Sequence, residues 1–176
     1  MGKGRVVSLS FASLALGLCI GLTAKERLPG IELIRNKPPR EAAVAALQEA
    51  ERLAGNGSWE LISIARVYYL SGDHTKAQAL IDRALSRKPK ATDFQRVAEL
   101  YSDAGDSGSA ENYFERALAA DPKDDTGQSE IGAWYIRHGQ RARGEELLAK
   151  ALAKNPDDVW HYIRASEAYL AVPTGR

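Results

Sequence analysis

SWELISIARVYYLSGDHTKAQALIDRALSRKP, residues Ser58–Pro89, sets a pattern that the chain then repeats twice in register. Aligned on Pro89, Pro122 and Pro156, the copies carry Ala84, Ala117 and Ala151 five residues before each proline. Ile81, Phe114 and Leu148 stand eight before it, and Ala77, Ala110 and Gly144 twelve before it. Further back come Gly72, Gly105 and Gly139, then Tyr68, Tyr101 and Tyr135, then Ala65, Ala98 and Gly132. The prolines are 33 and then 34 residues apart. A period of this length, with small and aromatic residues alternating before a proline, marks a repeated helix–turn–helix unit. The small residues let paired helices approach, and the tyrosines fill the angle between them. The glycines suit a left-handed helix end, and the prolines follow helices that they cannot continue.

On these residues the chain resembles the tetratricopeptide repeat family. Leu61, Ile64, Ala65 and Tyr68 fill the first-helix positions of repeat one. Phe94, Val97, Ala98 and Tyr101 fill those of repeat two, and Gln128, Ile131, Gly132 and Tyr135 those of repeat three. Gln128 stands where an apolar residue is usual, so the third repeat is expected to be locally looser. The resemblance implies an all-α, right-handed α-solenoid of helix–turn–helix repeats with flanking cap helices. Helices are expected over 58–71, 75–88, 91–104, 107–120, 125–138 and 141–154.

Outward from the repeats, Pro39 near the start of an Ala-rich segment reads as helix N1, and Ala43, Leu47 and Ala50 match second-helix positions. Residues 40–57 are therefore a degenerate half-repeat or N-terminal cap, followed by repeats 58–90, 91–124 and 125–158. Residues 159–171 form one more helix with the first-helix pattern, a cap for an otherwise exposed apolar face. Residues 172–176 are a tail. Residues 25–39 read as a tether, punctuated by Pro29-Gly30 and Lys37-Pro38-Pro39 around a short Ile31–Ile34 patch. Before it, residues 1–24 carry Lys3 and Arg5, an uncharged run over 6–22, and Ala24 at the exit. That is the layout of a signal peptide cut after Ala24, or of an uncleaved membrane anchor about 25 Å long. Either places the repeats on the exported side, periplasmic or extracellular, secreted or held at the membrane.

The formal net charge is +1 over 176 residues, and no basic stripe offers a nucleic-acid footprint. Cys19, inside the uncharged run, is the single cysteine, so the domain has no disulfide and no thiolate metal site. His74, His138 and His161 lack ligand spacing with one another. No nucleophile elbow, phosphate loop or Cys–His pair is present. Asp124-Asp125 and Asp157-Asp158 read as helix N-caps. Neither an enzyme, a cofactor nor a metal is expected.

What remains is surface. The family resemblance implies a concave groove lined by the first helices. By position it comprises Trp59, Ile62, Arg66 and Tyr69, then Gln95, Glu99 and Ser102, then Ser129, Ala133 and Ile136, then Trp160 and Ile163. Its ends are apolar, and its middle is expected to be polar and uncharged apart from Glu99. The family's clamp for chaperone C-terminal carboxylates requires Lys and Asn where Ile62 and Arg66 stand, so that ligand is not implied. The function expected is a non-enzymatic interaction module or scaffold that binds a partner protein or peptide in the groove. The alternative is a structural accessory subunit of a membrane-bound assembly, anchored by its N-terminal helix.

Overall fold

The computed structural model describes residues 30–172; the signal or anchor reading of residues 1–24, the first residues of the tether and the end of the tail lie outside them. A 3-10 turn, Gly30–Leu33, leads into α1 (Pro39–Ala54). Three antiparallel pairs follow: α2 (Ser58–Leu70) with α3 (His74–Leu85), α4 (Ala91–Asp103) with α5 (Ser107–Ala120), and α6 (Asp125–Arg137) with α7 (Arg141–Lys154). Helix α8 (Val159–Tyr169) packs mainly on α6. Successive first helices also touch, α2 with α4 and α4 with α6, so the pairs stack into a solenoid.

One turn design joins each pair. After α2, Gly72 adopts φ +92°; its N–H reaches the Tyr69 carbonyl at 3.0 Å, and the Asp73 N–H reaches the Tyr68 carbonyl at 2.9 Å. This is a Schellman motif, which satisfies the last carbonyls of the helix. Asp73 then caps the next helix, its side chain accepting from the Lys76 N–H at 3.0 Å. Gly105 and Asp106 repeat both halves, with the Tyr101 carbonyl and the Ser109 N–H as partners. Gly139 and Gln140 repeat the helix end against Tyr135, but Gln140 makes no side-chain cap.

The core is a line of small and branched residues between the helices. Leu61, Ala65, Ala77, Ile81, Val97, Ala98, Ala110, Ile131 and Tyr135 are fully or almost fully buried. Tyr101 is buried as well, and its hydroxyl donates to Gln78 Oε1 at 3.1 Å; Tyr135 donates to Glu115 Oε1 at 2.5 Å. In α1, Leu47 and Ala50 pack against this core, whereas Ala43 is exposed. The half-repeat therefore contributes only the C-terminal part of its stripe.

The third repeat is not loose. Gln128 is buried and its amide donates to the Pro122 carbonyl at 2.7 Å, so the polar residue is satisfied within its own loop. A Cβ on Gly132 would lie 2.8 Å from the Gly144 carbonyl oxygen, and one on Gly144 would lie 2.4 Å from that of Gly132. Backbone meets backbone here, and no other residue type fits.

Candidate functional site

Helices α4, α6 and α8, with the end of α2, enclose a concave groove of about 650 Å³. Arg66, Gln95, Glu99, Ser102, Ala133, Trp160 and Ile163 line it, as the repeat positions imply. The other expected residues are elsewhere. Ile62 and Ser129 are buried in the helix packing, the latter donating to the Thr126 carbonyl at 3.0 Å. Ile136 turns toward Gly144 on α7. Tyr69 stands edge-on to Tyr101, with ring centroids 5.2 Å apart, and to His74. Trp59 is half exposed, outside the groove, with the Arg96 guanidinium 3.4 Å above its ring. Side chains one position along each first helix thus face inward at one repeat and outward at another, because the helix pairs rotate along the stack.

The groove is charged, contrary to the expected neutral middle. Arg66 Nε meets Asp103 Oδ2 at 2.6 Å, and Arg164 pairs with Glu130, which also accepts from the Gln95 amide. Arg137 and Glu167 complete the ionic lining. Burial pushes the Arg137 guanidinium below its usual range, and the nearby Glu167 carboxylate opposes that shift. One terminal nitrogen of Arg137 and one of Arg164 are buried and meet no hydrogen-bond partner within the chain.

Trp134 is the aromatic centre that position alone did not reveal. Its indole N–H donates to Ser102 Oγ at 2.8 Å, His138 stacks on its ring at 4.0 Å, and Phe114 packs at 4.9 Å. It follows Ala133 directly, at a position where the earlier repeats carry Val67 and Leu100. An apolar stripe position occupied by an indole, whose N–H must find a partner, was the available signal. Arg137 and Arg164 carried only a weak one: basic residues on first helices whose neighbours fix their direction.

The groove offers directional donors, acceptors and apolar area along about 20 residues' worth of helix surface, the scale of one side of a protein contact. No helix among the described residues is long and apolar enough to cross a membrane.

Two tetratricopeptide repeat models match the chain, one over residues 101–167 and the other over residues 61–90. No curated protein matches the sequence. Among solved structures, the crystal structure of MamA is similar, with a TM-score of 0.50 and 16% identity over 75% of this chain and 77% of that chain. That likeness concerns the fold alone. Repeat register, helix pairing and both family matches agree: the chain belongs to the tetratricopeptide repeat family, as an all-α solenoid.

Proposed function

We propose that the chain is a non-enzymatic scaffold, exported or membrane-tethered, which holds a protein or peptide segment in the groove. Repeats of this family generally mediate protein contacts, and that supports the coarse reading. The observation that carries the finer one is the pair of buried guanidinium N–H groups, on Arg137 and Arg164, at the floor of a groove that also presents Trp134, Trp160 and Ile163. A buried donor without a partner costs about 1–3 kcal/mol, and a bound acceptor recovers it. A partner segment therefore brings a carbonyl or carboxylate to the arginines and an apolar side chain to Trp160, which is more than half exposed. Aromatic and arginine residues are the side chains most often responsible for binding energy.

Of the groove arginines, Arg137 is the better probe than Arg66, since truncating Arg66 strips Asp103 of its ion pair. The test is affinity capture from the exported fraction, comparing wild type with Arg137→Met and Trp160→Ala and checking helicity by circular dichroism. Each variant is expected to fold and to bind the partner about 2 kcal/mol or more weakly. Retention of every partner by both folded variants would rule out the groove. Recovery of the protein only from the cytoplasm would rule out export.

A further inference from the structure

Neighbouring first helices meet at a junction that recurs along the solenoid, between the residue opening one first helix and a residue in the first turn of the next. At α2–α4 these are Ser58 and Asp93, and the Ser58 hydroxyl donates to Asp93 Oδ1 at 2.7 Å. At α4–α6 the matching positions hold Ala91 and Gly127, neither with a polar side-chain atom. At α6–α8 they hold Asp125 and His161. His161 is completely buried, and neither ring nitrogen meets a hydrogen-bond partner within the chain. Its Nε2 lies 3.5 Å from Asp125 Oδ2 and 3.9 Å from Asp158 Oδ2.

The two carboxylates are held so that one oxygen of each remains for the imidazole. Asp125 Oδ1 accepts from Lys154 Nζ at 2.8 Å, and Asp158 Oδ1 accepts from the Trp160 N–H at 2.9 Å. One nitrogen and two carboxylate oxygens thus converge, all within 4.8 Å of one another. The first junction closes the same two positions with a direct hydrogen bond; the third holds them wider apart.

We propose that Asp125, Asp158 and His161 bind a divalent transition-metal ion of the zinc class, which ties α8 to α6. Zinc bonds of about 2.0–2.2 Å to nitrogen and oxygen set tetrahedral ligand atoms about 3.3–3.6 Å apart, so the observed spacings need close by only a few tenths of an ångström. An imidazole ligand selects against calcium and magnesium, which prefer oxygen alone. Fixing the second oxygen of each carboxylate is the outer-shell support such ligands receive. The carboxylates are partly exposed, at 18% and 24%, and give the ion its approach. The Lys154 ammonium and the two helix N-termini oppose a cation, which keeps the affinity below that of a thiolate site.

The sequence pattern hid this site because its ligands come from two helix starts one repeat apart. The test uses the untagged full chain, titrated with Zn²⁺ by calorimetry and with Co²⁺ by visible absorption, at about pH 7.5 where carboxylate and imidazole are free to ligate. One ion per chain is expected. Asp158→Asn, which keeps the helix cap, should weaken binding at least about tenfold. His161→Gln should abolish the Co²⁺ bands, and replacing both exposed histidines, His74 and His138, by Gln should change nothing. Equal Zn²⁺ affinity in wild type and Asp158→Asn, loss of binding in the His74/His138 variant, or no uptake by wild type at millimolar Zn²⁺ would each overturn the assignment.

Discussion

Tyr101 and Tyr135 occupy the same repeat position and meet the same fate on burial. Burial first, then the neighbouring Tyr113 and Tyr69, push the Tyr101 hydroxyl up to about 12. Burial and the hydrogen bond to Glu115 raise Tyr135 as well. In the unfolded chain both ionise near pH 10, so above that the folded state binds more protons than the unfolded one. The sign follows: their contribution is intact below about pH 10 and is lost as pH rises through the folded values. Urea unfolding at pH 8 and pH 11 should show a steeper loss for wild type than for Tyr101→Phe/Tyr135→Phe; equal losses would contradict it. The tyrosines were legible in the sequence because a large residue at a fixed place in every copy leaves few alternatives to the core. Gln128 was not. Its side-chain amide is satisfied by the Pro122 carbonyl, a contact set by loop geometry rather than by periodicity. Ile62 and Ser129 misled for a related reason: position in a repeat does not fix the rotation of a helix, and both turned inward.

At the scale of elements, the pairing of α6 with α7 depends on two glycines in backbone contact. Gly144→Ala puts a Cβ 2.5 Å from Ile136 Cγ1 as well as against the Gly132 carbonyl. Alanine's helix propensity favours the change by about 1 kcal/mol, but overpacking costs about 1–3 kcal/mol and here pushes on backbone. The variant should be destabilised. Gly108→Ala in α5 is the control: its nearest new neighbour is Asp106 Oδ1 at 3.8 Å, and stability should hold or rise. Thermal unfolding of both variants decides it, and equal melting temperatures would refute the packing argument. The helices themselves were readable to within a few residues because Gly and Pro punctuate every copy. The groove was half readable: its walls follow the first helices, but its charges depend on where long side chains reach. Arg164 meets Glu130 from the next helix along, a pairing that spans 34 residues and no local pattern records.

Across the whole molecule, packing thins toward both ends. Helix α1 has no buried residue, and α8 buries only His161 and Ala168, while Tyr162, Tyr169 and Leu170 face water. In a solenoid each repeat is stabilised by its neighbours, so openings begin where a neighbour is missing. Amide hydrogen exchange should be slowest in α4 and α6 and fastest in α1 and α8; uniform protection along the chain would contradict this.

The turn within each pair has a consequence for how such a chain tolerates change in length. Asp73 and Asp106 each end one helix and start the next, so no spare residue separates the partners. An insertion after Gly72 would break the helix end and the cap together and rotate α3 by about 100°, presenting the wrong face to α2. The connection between pairs is under no such constraint. From Pro89 to Tyr101 is 12 residues, yet from Pro122 to Tyr135 and from Pro156 to Tyr169 is 13. The change from a 33-residue to a 34-residue period falls entirely in that stretch, outside the hairpins. Insertions and deletions are therefore absorbed between the hairpins, which themselves are passed on as units of invariant length.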